Sequence, residues 1–334
     1  MVYKPLLVVS LAILFSCVSQ EEYRLDEEII ASMGSEVRKG YVEMADDFRS
    51  RILIDSANIE AFLGLAETQI TIYIFGFSSR AETLPEARKA CQHARALDSL
   101  HSGVRKLEGM LSMLDWRWED AQNAFEDAIK ADPQNLNARH WYSLYLSAMG
   151  RLDEALAQSD TIATMDPAGN YMIGRGSLLY FARRNEELKN LMIKEVAKDT
   201  SVAWGYDWLG MAYCELEEFD KSLDTYFKAF GLSDGTVEVG GGLGHALGLA
   251  GEYETAKQMA DFYGMKSKEY YLPPVQRAFI HIGIGEYDEA IKLLEQAYNE
   301  NSWFLAFIQI EPWYDPIRDD PRFEEIMGRM KFPE

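Results

Sequence analysis

The chain has 334 residues, 48% of them hydrophobic, with 54 acidic and 33 basic side chains for a net charge of −21. That apolar content excludes a wholly disordered chain. The negative balance disfavours nucleic acid and anionic lipid headgroups as partners, suits basic or neutral ones, and serves equally to keep an extended surface soluble.

The chain opens with MVYKPLLVVSLAILFSC: Lys4 near the start, an apolar run from Pro5 to Phe15, then Ser16 and Cys17. The run is too short to span a bilayer as a helix, which takes ~20 residues, and it suits the core of a signal peptide. Leu14-Phe15-Ser16-Cys17 resembles a bacterial lipobox. The resemblance implies a signal peptide over residues 1–16, cleavage before Cys17, a diacylglyceryl thioether on that cysteine and acylation of the new amine. Several acyl chains anchor a protein stably where one is marginal. Val18 is not the aspartate that holds enteric lipoproteins at the inner membrane, so the expected address is the outer membrane, on its periplasmic or surface face. Residues 17–35 read as an acidic tether, similar to the surface-export signals of some Gram-negative lineages.

From Asp26 to about Ile54, Val37, Tyr41, Met44 and Phe48 recur at spacings of three and four, the pattern of a helix. It fits a degenerate repeat unit or a capping helix pair. Asn58 to Gly76 reads as a long apolar helix, broken at Phe77-Ser78-Ser79. Pro85 is expected to start the next helix, where its missing N–H costs nothing, with Ala87, Cys91 and Ala94 as the inner stripe. This unit carries extra residues between its helices.

A regular register follows. Pro133 and Pro167 lie 34 residues apart, as do Ala121 and Ala155. The second-helix positions Ala121, Ala155, Leu188, Ser222, Ala256 and Ala290 are spaced by 34, 33, 34, 34 and 34. Small first-helix residues track them: Gly109, Ser143, Gly176, Gly210, Gly244 and Ala278. Two helices that cross tightly admit only a small side chain at the crossing. Gly150, Gly251 and Gly285 mark turns where glycine ends a helix in the left-handed conformation, each with acidic residues following where the next helix dipole favours them.

A fixed period of two helices marks a repeat array, and Gly109, Ala121, Phe125, Ala128 and Pro133 resemble the tetratricopeptide repeat. The resemblance implies an all-α, right-handed α-solenoid of helix-turn-helix units over residues 36–300, about seven in number with the first one or two degenerate. Residues 301–334 depart from the repeat. Their stretch from Trp313 to Phe323 is similar to the tail that closes helical-repeat regions of bacterial signalling proteins. There the repeats follow a kinase, cyclase or winged-helix DNA-binding domain. None precedes them here, so neither catalysis nor DNA binding carries over. The segment is expected to cap the apolar face of the last helix.

The family's groove positions, placed on this register, are Asn137, His140 and Leu144; Asn170, Ile173, Ser177 and Tyr180; Trp204, Asp207 and Met211; then Glu238, Gly241 and His245. An aromatic beside amide, imidazole and carboxylate groups suits a peptide. Trp204 and Tyr180 fit equally well as core between units. No cofactor and no metal is expected. Gly240 to Gly244 lack the preceding strand and the following Lys-Ser/Thr of a phosphate loop. His93, His101, His140, His245 and His281 form no metal-binding helix pair. Cys91 and Cys214 fall in different units, beyond the ~7 Å reach of a disulfide, and read as small core residues. The expectation is a non-enzymatic scaffold in the cell envelope that holds a protein or peptide partner, a basic one suiting its charge, and no nucleic acid. The alternatives are a nutrient- or glycan-binding lipoprotein of an uptake system, using the groove or the insertion at Phe75–Pro85, and, third, an envelope hydrolase.

Overall fold

The computed structural model describes residues 32–166, 169 and 171–333; Cys17 and Asn170 lie outside them. Helix α1 (Ser35–Ile54) stands alone. Seven antiparallel pairs follow: α2 (Ile59–Ile74) with α3 (Arg80–Leu97), α4 (Ser102–Leu114) with α5 (Trp118–Ala131), α6 (Leu136–Ala148) with α7 (Leu152–Met165), α8 (Met172–Phe181) with α9 (Asn185–Lys198), α10 (Ala203–Glu215) with α11 (Phe219–Leu232), α12 (Val237–Leu249) with α13 (Tyr253–Lys266), and α14 (Pro274–Gly283) with α15 (Tyr287–Asn299). The architecture is a right-handed α-solenoid. No helix among the described residues is long and apolar enough to cross a membrane.

The register sits where the spacing places it. Ala121, Ala155, Leu188, Ser222, Ala256 and Ala290 are fully buried. A Cβ on Gly109 would lie 2.6 Å from the Phe125 ring, and one on Gly210 would lie 2.8 Å from Tyr226. The small first-helix residue therefore admits the aromatic of its own second helix, whose burial contributes about 2–3 kcal/mol. Where the turn has glycine, its φ is 70° at Gly150, 90° at Gly251 and 78° at Gly285; elsewhere Trp116, Arg183 and Glu217 take the same left-handed place at 56°, 55° and 59°.

Pro85 does not start its helix. Ser79 is the N-cap, and Glu82 reaches back to accept from the Ser79 N–H at 2.9 Å, so α3 begins at Arg80 and Pro85 sits inside it. The capping box fixes the start earlier than the proline would, and Pro85 forgoes one internal hydrogen bond. The extra residues lengthen this helix to 18 residues, against 14 in α5, α7, α9, α11 and α13.

The superhelix winds tightly enough for its beginning to meet its end. The Gly34 N–H donates to the carbonyl of Asp234 at 2.5 Å. A Cβ on Gly76 would lie 2.6 Å from Pro273. Trp116, after α4, packs on Tyr298 of α15 with ring centroids 5.3 Å apart.

The C-terminal segment then returns along the inner face instead of only covering α15. It forms two 3-10 helices, Trp303–Phe307 and Pro312–Ile317, and a last helix, α16 (Pro321–Arg329). The Trp303 N–H donates to Tyr73 Oη of α2 at 3.1 Å. Phe307 stacks on Phe181 of α8 at 5.0 Å, and Trp313 on His245 of α12 at 4.2 Å. Past α16, which pairs Arg329 with Glu295 of α15, Phe332 stacks on Trp118 at 4.8 Å. Its aromatics bind α6, α8, α12 and α14 in turn, which is why the segment lies in the groove.

Candidate functional site

What the C-terminal segment leaves of the concave face is a chamber of about 310 Å³. First helices supply its wall: α2 with Ile74, α6 with His140 and Leu144, α8 with Ile173, Ser177 and Tyr180, α10 with Trp204, Asp207 and Met211, α12 with Glu238, and α14 with Phe279. The C-terminal segment closes it with Trp303, Phe304, Phe307 and Glu311. First helices point inward because each second helix turns its buried, mostly apolar stripe onto them from outside.

Nine of the residues placed on the concave face by the register line this chamber: His140, Leu144, Ile173, Ser177, Tyr180, Trp204, Asp207, Met211 and Glu238. Three others do not. Asn137 is not among the lining residues, and its Nδ2 donates to Glu67 Oε1 at 2.8 Å. His245 is 3% exposed, with Nδ1 bound to the Phe279 carbonyl at 2.9 Å, so it serves as core between α12, α14 and Trp313. Gly241 packs against Gln276 of α14 and presents no side chain. Tyr180 combines both readings: it is buried, and its hydroxyl donates to Glu311 inside the wall. Trp204 keeps partial exposure and stacks on Phe75, with centroids 4.9 Å apart.

The register left out much of the aromatic wall. Trp208 lies one turn beyond Trp204 on α10, and Trp141 follows His140. Phe75 belongs to the insertion, where the expectation was a separate pocket. Trp303, Phe304 and Phe307 belong to the segment expected only to cap. The available signal was the density of aromatics at 303–307, too many for a surface segment.

The wall is apolar but carries three carboxyls and, among the described residues, no lysine or arginine. Asp207 is 4% exposed and its Oδ1 lacks a hydrogen-bond partner; burial pushes its carboxyl up to about 7. Glu238 Oε2 is likewise buried without a partner, and burial, then the nearby Asp207, raises its carboxyl well above the ordinary range. Glu311 is also pushed up to about 7 by burial, against the hydrogen bonds from Tyr180 and the Trp313 N–H. Burial holds His140 down to about 4, so the chamber's imidazole is neutral at pH 7. Ser177 Oγ is committed to the Gly174 carbonyl at 2.9 Å. The arrangement can bind an apolar body and meet it with acidic groups. Elsewhere, Cys91 and Cys214 are buried free thiols, raised by burial to about 11 and about 12.

No protein-family model matches the chain, and no curated protein does. Among solved structures it is similar to Cut9 in the crystal structure of the APC/C hetero-tetramer Cut9–Hcn1, with a TM-score of 0.58 and 13% identity. That match covers 92% of this chain and 54% of the other. The fold is a tetratricopeptide-repeat solenoid. Yeast Tom70 is a further neighbour at a TM-score of 0.48 and 16% identity, covering 88% of this chain and 63% of that one. The chain thus spans about half the length of the first of these repeat proteins and less than two-thirds of the second.

Proposed function

We propose that this tetratricopeptide-repeat protein is a non-catalytic recognition module whose concave chamber receives part of a protein partner. The observation behind this reading is convergence: side chains from six repeat units and the C-terminal segment meet at one cavity among the described residues. Cut9 assembles with Hcn1 in a hetero-tetramer. A partner peptide running the length of the groove would collide with residues 303–317, so the module takes a side chain or a chain end.

The leading segment supports a setting for it. Cleavage before Cys17 and lipidation of that residue would hold the solenoid at the bacterial envelope, at the outer membrane on its periplasmic or surface face. A second reading, a small-ligand-binding lipoprotein of an uptake system, draws on the size of the chamber, which falls within the ~300–1,000 Å³ of small-molecule sites.

A photo-crosslinking residue at Met211, introduced into the full chain in its native cells, tests the leading reading. The expected result is one stoichiometric protein adduct, lost when Trp204→Ala is added. Crosslinking only to abundant bystanders, unchanged by Trp204→Ala, overturns it. Cys17→Ala should release the protein from the membrane fraction and abolish lipid labelling; retention with full labelling would end the anchor reading.

A further inference from the structure

The chamber concentrates acid where the fold supplies no counter-charge. Asp207 lies on α10 and Glu238 on α12, each with a buried oxygen that nothing among the described residues hydrogen-bonds. The other ionisable groups around them do not compensate. Tyr226 of α11 has a buried hydroxyl without a partner among the described residues, raised by burial and then by Asp207, and Tyr41 of α1 is raised by burial and then by Glu238, so both phenols stay neutral. His140 across the chamber is neutral at pH 7. Glu311, the third acid, is served by Tyr180, and Arg318 donates to its backbone carbonyl at 2.6 Å. Two acids are therefore left facing a cavity with indole walls, at Trp141, Trp204, Trp208 and Trp303.

We propose that the chamber is a binding site for an organic cation, an ammonium or guanidinium group carried on an apolar stem. This rests on the reading of the chamber as the recognition site and names its ligand chemistry. Each alternative ligand fares worse. An anion would meet three acids, a neutral imidazole and, among the described residues, no lysine or arginine. A neutral hydroxyl ligand could donate to Asp207 but leaves the desolvated charge in place. A cation supplies the missing charge, and indole faces attract it as well. The stem matches the apolar remainder of the wall. The same chemistry could come from a lysine or arginine side chain of a partner or from a free amine.

Burial also gives the site a signature. A carboxyl held near 7 is largely protonated at pH 6, so a cation that ionises it must drive the proton out. The test is isothermal titration calorimetry on the full chain in detergent, in buffers of different ionisation enthalpy. The probes are phenethylammonium, its neutral isostere 2-phenylethanol, and acetyl-Ala-Lys-Ala-amide beside its norleucine analogue. Phenethylammonium should bind at least tenfold tighter than the alcohol at pH 8, lose most of that margin at pH 5, and release protons near pH 6.5. Asp207→Asn, and separately Glu238→Gln, should each cut cation affinity at least tenfold and leave the alcohol unchanged, with helical circular dichroism retained. A lysine peptide stronger than the free amine assigns the cation to a partner protein; the reverse assigns it to a small amine. Equal binding of amine and alcohol, or no saturable binding of any cation, overturns the proposal. If the Met211 crosslink to a protein survives Asp207→Asn and excess amine, the recognition reading stands while the cation site falls.

Discussion

Asp207 should make the protein less stable as pH rises, and Asp207→Asn should relieve that loss. The carboxyl is buried, and its folded value of about 7 stands above the ordinary value near 3.9. The folded state therefore holds its proton more tightly than the unfolded chain. Its contribution to stability is fully present below pH ~4 and is lost as pH climbs from there through about 7. The gap corresponds to at most ~4 kcal/mol across that window, of which ~3 kcal/mol falls between pH 5 and pH 8. Asparagine matches the protonated acid in shape and cannot ionise, so the variant escapes the loss. Glu238 works in the same direction, since burial and then Asp207 raise its carboxyl, and the variant removes the second of these. The assay is urea unfolding of both proteins, followed by circular dichroism at pH 5 and pH 8. The variant's midpoint should gain on the wild type by ~1 M between the two pH values. A constant difference would show that Asp207 ionises freely in the folded protein and that the chamber is as wet as the surface. A gain at low pH would reverse the sign of the argument altogether.

Three further expectations follow from packing. Trp313→Ala should cost about 3–5 kcal/mol, because the indole is 3% exposed between His245, Phe279 and Tyr180; a shift in thermal midpoint of less than a degree would mean the C-terminal segment is not docked. Gly248→Ala should destabilise by more than 1–3 kcal/mol, since its Cβ would strike the carbonyl of Gly283, whereas Gly251→Ala, with open space around it and φ at 90°, should cost only about 1 kcal/mol. Chemical denaturation ranks the two, and equal losses would refute the close approach of α12 and α14. Tyr180→Phe should cost about 1–3 kcal/mol at pH 8 by removing a donor to Glu311, and less at pH 5, where that carboxyl is protonated; calorimetric scans at both pH values give the comparison.

The repeat was legible because stacking is local. A small residue at Gly109 or Gly210 and an aromatic at Phe125 or Tyr226 answer each other within one unit, and the small crossing positions recur every 33 or 34 residues. The start of α3 was misread because Pro85 is a conspicuous signal while the Ser79–Glu82 capping box is a quiet one. The inward face of the first helices was read through the family resemblance, whose groove positions fall on the first helices once the register is set. The carboxyls' state was not. Nothing local to Asp207 says that Trp303 and Phe307, about a hundred residues on, will close the cavity around it. Contacts such as Trp303 to Tyr73 and Trp118 to Met330 depend on superhelical pitch, and pitch sums small rotations over all the units.

That closure changes what the concave face can recognise. An open groove selects a peptide by laying it across several units, with affinity spread along its length. Here the chain's own aromatics already take those places, at Trp141, Phe181 and His245. The ordering cost of these contacts is met on folding, as part of the same polypeptide. What is left for a ligand is small, walled and pre-formed, and such a site discriminates by charge and shape more than by area. Asp207 is then explicable as a residue whose burial costs stability. A fold that needed only to stack would place an apolar side chain there, as it does at Met211, one turn on in the same wall. Retaining an unsatisfied acid in that position is the pattern of a site that trades stability for a bound charge.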